Sequence, residues 1–523
     1  MSVLFTAISS DNPVTNRDVR KVLEKIDVQP STSDESDFTK LLQVFHGCME
    51  VVESLPDYQP GVDYHRFPRL NIKRPSLEEN VLGHAWSYTF SIKDTLECNS
   101  LLRGKTICLK DCIAVAEIPQ VMGTDVFDPW VPVSDATIVR GEIVGTAQSE
   151  NLCQSTSSNS SAQGVIENPR AYGYSAGGST SGAAALVGAG LVDIGLGADQ
   201  GGSVRVPASL CGLVGLKPTF GLIPYTGIAS NDAVDDHAGI LARTVLEVAQ
   251  CLEATAGYDG LDDRQCGAPP PNKVKFAVDL KACESLGVQG MRIGILQEAF
   301  GMPLLNLNVR DKVMAAANKF KELGAHVEEV SIPFHPTGNA IWTIQQRFSG
   351  CLTLLGCAHG RRGVGLPGLE KAKCHWDQAK FDKSFATTQN ILLNGLYLLE
   401  HSPDLYCKAL NLIRKLREDY EAALQSYDVL ILPTTSFVAR KHGSRTTPPI
   451  EQIAPTLGLT ANTVQFNATG HPAMSIPIGK IGAEDDSNVM LPVGMQIVSG
   501  LWRDDKVLRV GHAWEKAFDW ESC

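Results

Sequence analysis

The chain has 523 residues, 43% of them hydrophobic and 20% charged, and a formal net charge of −12. That balance, with no long Lys/Arg run, argues against a surface built to neutralise a phosphate backbone, so nucleic acid is not an expected partner. No stretch reaches the ~18 consecutive apolar residues of a membrane span, and the opening MSVLFTAISSDNPVTNRDVR lacks a basic segment before its apolar cluster; the expected address is cytoplasmic, with no membrane partner.

In chain order, residues 1–78 read as a helical region. Asn16 and Asp18 cap a run containing Val19, Val22, Leu23 and Ile26, and Phe38, Leu41, Leu42 and Phe45 recur at helical spacing before a Pro-rich segment from Pro56 to Pro75. From 79 to 523 the texture predicts one α/β domain, a central mixed β-sheet covered by helices on both faces. Its β-like runs include KTICLKD, ATIVRGEIVGTA, MRIGILQEAF, HVEEVSIP, YDVLILPTT and LPVGMQIVSG. Residues 340–425 read as a helical insertion, and VLRVGHAWEKAF as a terminal helix. Fourteen Cys at irregular spacing, including a lone C-x3-C at Cys108 and Cys112, and twelve His without an H-E-x-x-H predict reduced thiols and no metal site.

The densest signal is the Gly/Ser-rich segment 172–220. Its glycines alternate with Ala, Leu, Val and Ile, so they suit close backbone approach in a buried setting better than a flexible linker. A helix of about a dozen residues after Ser179 climbs ~18 Å, and a return strand of about six covers ~20 Å, which brings Ser203 back beside Ser179. Gly201 and Gly202 can turn successive N–H groups inward as an oxyanion nest ahead of Ser203. The base is expected from Lys110, which shares a strand face with Cys108 while Leu109 points to the other. Burial of that strand would disfavour the ammonium and make Lys110 a usable base.

A rival is Gly173-Tyr174-Ser175-Ala176-Gly177, a G-x-S-x-G elbow that would make Ser175 the nucleophile of an α/β-hydrolase-type esterase. The residues before it, Glu167 to Arg170, read as a turn where the elbow needs a strand. Asp199 and Arg205 flank the Ser203 loop as an expected ion pair. Asp235, Asp236 and His237 read as a turn cap, with a pocket lining as the alternative.

These elements resemble the amidase signature family. Its GGSSGG-type element is similar to GGSTSG at 177–182, and its GxDxGGSxRxPAxxCGxxGxKPT element matches from Gly197 to Thr219; NATGHPAMSIP and LPVGMQIV fit as well. The look is nearest to the broad-specificity amidases of nitrile-degrading pathways. The resemblance implies an amidohydrolase of small linear carboxamides, extending to carbamates and esters, in which Ser203 attacks, Ser179 shuttles protons after a cis peptide and neutral Lys110 accepts them. The N–H groups of Gln200, Gly201, Gly202 and Ser203 would hold the oxyanion. No cofactor is implied, and a homo-oligomer, formally a homodimer, is expected through the N-terminal helices.

Three departures stand out. Thr180 and Ser181 replace Ser-Gly, and Ile240 replaces a common proline, which is expected to reshape the pocket wall. Pocket contributors are sought at Val464–Asn467, near Tyr225, and at Phe127 or Trp342. The alternatives are a glutaminase subunit of a tRNA-dependent amidotransferase and a non-catalytic scaffold; the intact Lys110, Ser179 and Ser203 set argues against the scaffold.

Overall fold

The computed structural model describes residues 8–96, 101–139, 141–357 and 360–522. Residues 1–7, read above for a secretion signal, lie outside them, as do Arg140, Cys98 and Cys523. The described cysteines are all unbridged. No helix among the described residues is long and apolar enough to cross a membrane.

The chain divides into two compact units, up to Pro60 and from Gly61. In the first, helix Asn16–Leu23 starts one residue earlier than its expected caps: Thr15 is the N-cap, its N–H and hydroxyl both donating to Asp18 at 2.9 and 2.8 Å. Helix Thr32–Ser54 is capped by Ser31, which accepts the Asp34 N–H. Arg20 pairs with Glu35 of that helix, while Phe38, Leu41 and Phe45 remain exposed.

The helical region expected to run to residue 78 is shorter than that. Arg69–Lys73 is an edge strand, paired antiparallel with Trp86–Ile92. Its R-L-N-I-K alternation was hidden between two prolines, in a segment that composition alone reads as a linker.

The second unit is built on a twelve-stranded mixed sheet. At its centre, Thr106–Lys110 lies parallel to both Glu142–Ala147 and Ile194–Asp199, and the latter runs antiparallel to His237–Ala242. Beyond these come Val214–Lys217, the long hairpin Ala473–Gly482 and Met490–Val498, and then Val429–Pro433, Arg292–Leu296 and His326–Val330. Alternation sorts the side chains. Cys108 and Leu241 cluster with the small-residue helix Ser181–Gly188, whereas their neighbours Ile107 and Ile240 cluster with Val248 and Leu252 of helix Val245–Thr255 and with Val507 and Leu508 of helix Asp504–Ala517. Helices thus flank the sheet as expected. Between the last parallel strand and Val429, the chain forms helices Gly338–Leu354, Pro367–Lys373, Gln378–Lys383, Ala386–His401 and Leu405–Leu424.

Candidate active site

Lys110 ends its central strand fully buried, its Nζ donating to Ser179 Oγ at 2.8 Å and to the Ala198 carbonyl at 3.3 Å. Ser179 stands just before helix Ser181–Gly188, and the Gly178–Ser179 peptide is cis. After that helix the chain returns along Ile194–Asp199, and the Thr180 N–H donates to the Ser203 carbonyl at 3.2 Å. The out-and-back path therefore joins the two serine segments. Ser181 is anchored too. Its hydroxyl donates to Glu150, whose buried carboxylate also collects Ser157, the Ser160 hydroxyl and the Ser160 N–H. Glu150 escaped the sequence reading because its partners lie up to 31 positions away.

The loop ahead of Ser203 is shaped by Asp199. Its carboxylate accepts the N–H groups of Gly202 at 2.8 Å and Val204 at 3.0 Å, the Arg205 guanidinium at 2.9 and 3.1 Å, and Asn467 Nδ2 at 2.9 Å. Burial pushes the Asp199 carboxyl up, but Arg205, Asn467 and the Val204 N–H outweigh it and hold the group well below the usual carboxylate range. Arg205 is itself fully buried and reaches the Thr463 carbonyl, Gln496 and Asn467. The expected Asp199–Arg205 pair is thus a complete knot.

That knot corrects one expectation. The Gly202 N–H is taken by Asp199, so it is not an open oxyanion donor; among the described residues the N–H groups of Gln200, Gly201 and Ser203 keep no protein acceptor. The four-donor set is what the family resemblance implies, and only the fold reveals that a carboxylate curls back onto the third. Gly202 is at φ +132°, and a Cβ there would meet Thr463 Oγ1 at 2.5 Å, so glycine is required. Thr463 donates to the Gly201 carbonyl and Trp342 Nε1 to the Gln200 carbonyl, at 2.6 and 3.0 Å, which fixes both peptide groups of the loop.

The surroundings of Lys110 oppose one another. Burial pulls its ammonium down, yet the negative charge nearby, that of Cys153 first, outweighs burial and leaves the group above its ordinary value. The Cys112 thiol donates to Cys153 and, helped by Lys110 against burial, brings the Cys153 thiol down to about 6. Burial pushes Asp111 up to about 7. From the sequence Cys112 is noted only as half of a lone C-x3-C and Cys153 not at all, since each reads as an inert core thiol.

Ser203 and Cys153 line a cavity of ≈ 240 Å³ with Gln200 and Gly201. Trp342 lines it as expected, whereas Phe127 packs into the neighbouring apolar core. Tyr225 accepts from Gln200 Nε2 at 2.6 Å, and Asn467 acts through Asp199. Thr180, Ser181 and Ile240 do not line the cavity; Ile240 sits in a buried strand between Leu196 and Leu216. The expected reshaping of the wall therefore does not come from these residues. Asp236 closes a turn through the N–H groups of Asn231 and Asp232 and also holds Gln200, while Asp235 accepts Trp342 Nε1 at 2.7 Å. Sequence reasoning missed the walls given by Gln346, Arg347, Thr387 and Asn390, which lie on two helices of the 340–425 segment.

The rival Ser175 does have a strand before it, Ala171–Ser175, in a two-stranded hairpin apart from the main sheet. Of the residues expected as a turn, Glu167–Asn168 is the other strand of that hairpin and only Pro169 and Arg170 form its bend. Ser175 Oγ donates to the Ser157 carbonyl at 2.8 Å and accepts the Gly177 N–H at 3.0 Å, and its cavity is ≈ 20 Å³, room for one water.

Comparison with known proteins gives the family. The Amidase family model matches residues 75–508. An "Enantioselective amidase" of Rhodococcus rhodochrous is 35% identical over 450 residues, 83% of this chain and 83% of that protein. A glutamyl-tRNA(Gln) amidotransferase subunit of Microcystis aeruginosa is 31% identical over 80% of this chain and 85% of its own length. The solved structure of the corresponding Thermotoga maritima protein superposes with a TM-score of 0.66 at 27% identity, over 83% of this chain and 87% of that one.

Proposed function

The chain belongs to the amidase signature family, and from that premise we propose that it hydrolyses the C–N bond of small linear carboxamides through an acyl-Ser203 intermediate. The observation that carries the reading is the 2.8 Å hydrogen bond between Lys110 Nζ and Ser179 Oγ, in a segment tied to Ser203 through Thr180. In this mechanism Ser203 Oγ attacks the carbonyl carbon and passes its proton to Ser179, whose own proton moves to neutral Lys110. The negative charge on the carbonyl oxygen is met by the open N–H groups of Gln200, Gly201 and Ser203. Collapse of the tetrahedral adduct expels the amine, which takes the proton back along the same relay; water then repeats the sequence on the ester. Carbamates and esters enter the same acyl-enzyme and follow as side activities.

The enzyme is proposed to act in the cytoplasm as a homo-oligomer, with its substrate as a small-molecule partner. The likeness to amidotransferase subunits supports glutamine as a second substrate to test. The experiment is ammonia release by wild type and Ser203→Ala over acetamide, benzamide, ethyl carbamate and glutamine. Release that requires Ser203 is the expected result; equal release by Ser203→Ala would overturn the assignment.

A further inference from the structure

The cavity in front of Ser203 carries one cationic side chain, Arg347, and no carboxylate in its lining among the described residues. Arg347 lies on helix Gly338–Leu354, five residues beyond Trp342, which faces the same cavity. Its Nη1 donates to the neutral Gln346 side chain, and its Nε is shielded from solvent without an acceptor. No Asp or Glu among the described residues pairs with it. Burial alone pulls the Arg347 guanidinium down to about 10, so it remains charged at neutral pH.

Arg347 is part-buried, and a partly desolvated cation with no carboxylate partner is costly to keep. A guanidinium presents a planar fork of donors that matches a carboxylate in two-point contact. The flanking lining is neutral: Thr387 and Asn390 on helix Ala386–His401 offer further hydrogen bonds, and Ile391 and Leu457 offer apolar surface to the body of a ligand. With no carboxylate in the wall beside Arg347, a substrate ammonium placed there would meet a like charge.

We propose that Arg347 seats a carboxylate of the substrate, so the preferred amides are anionic and lack a free amino group. This rests on the amidase reading above and narrows its substrate class. The carboxylate could sit on either side of the scissile bond, and two sets of probes separate the cases: monoamides of C4 to C6 dicarboxylic acids, and N-acetylated amino acids.

The test compares succinamate with its uncharged counterpart butanamide, and glutaramate with glutamine, which carries the same carboxylate and an added ammonium. Wild type is expected to favour succinamate over butanamide in kcat/KM by tenfold or more, and glutaramate over glutamine in the same sense. In Arg347→Gln the first ratio is expected to collapse at least tenfold through KM, with Arg347→Lys in between. A wild-type ratio near one, or a ratio that survives Arg347→Gln, would overturn the proposal while leaving the amidase reading in place. Calorimetric binding of the same probes to Ser203→Ala separates the two further. Tight, Arg347-dependent binding without turnover by wild type would sustain the carboxylate site and sink the amidase reading. Absence of any preference for the anionic probes in binding would overturn the site itself.

Discussion

Two arginines border the same reaction space and are treated in opposite ways. Arg205 is fully enclosed, and its guanidinium is distributed over Asp199, Asn467, Gln496 and the Thr463 carbonyl. Arg347 keeps an Nε with no acceptor and has only Gln346 beside it. A charge whose donors are all satisfied holds the backbone in place; Arg347 keeps donor capacity in reserve and lines the cavity a ligand fills. The wall around Asp199 is therefore finished before substrate arrives, and the wall on the 340–425 helices is completed by it.

If that contrast is right, damage to the finished wall should cost rate or stability, and damage to the open wall should change which substrates are used. The largest effect is expected from Ser203→Ala, a fall in kcat of roughly 10⁴–10⁶-fold measured by amine release. Ser179→Ala and Lys110→Ala should each lose roughly 10²–10⁴-fold, and their double variant should lose little more than either alone because the relay acts as a unit. Asp199→Asn leaves Arg205 buried without its counter-charge. It should lower unfolding free energy by about 3–5 kcal/mol in urea titration. Since the Asp199 carboxyl is held below its unfolded value, wild-type stability from this pair is present above pH about 4 and is lost as pH falls below it.

A smaller effect sharpens the picture at Lys110. Its ammonium is held above the ordinary value, largely by anionic Cys153, so the neutral amine is scarce at neutral pH and kcat should rise toward alkaline pH. Cys153→Ala removes that charge and should move the rising limb to lower pH; a pH-rate profile that stays fixed would contradict the assignment of Cys153. The smallest effect is expected from Ser175→Ala, within about threefold of wild type in kcat, because that hydroxyl is engaged by the Ser157 carbonyl and the Gly177 N–H. A dead Ser175→Ala with an active Ser203→Ala would transfer the chemistry to the elbow.

Much of the catalytic side was legible before any coordinates. Period-two alternation placed Lys110 and Cys108 on one face, and helix and strand rises returned Ser203 to Ser179. What the sequence could not carry were long-range pairings. Gly202 looks like an oxyanion donor until Asp199 is seen accepting its N–H, and the edge strand Arg69–Lys73 is visible only beside Trp86–Ile92. Arg347 was illegible for another reason: a lone arginine in a helix reads as a solvated face, and only the packing of two helices around it shows that its Nε is sealed.

The knot at Asp199 also sets when the enzyme can begin to work. Its members come from the end of a strand at 199, the start of a helix at 205, a short helix at 467 and a strand at 496. A ribosome that has released Lys110, Ser179 and Ser203 has made all three reacting side chains, but not the residues that fix the loop between them. Until Gln496 has emerged, the nascent chain carries its proposed nucleophile on an unshaped loop. A chain truncated before Gln496 would be expected to keep every proposed reacting group and remain silent.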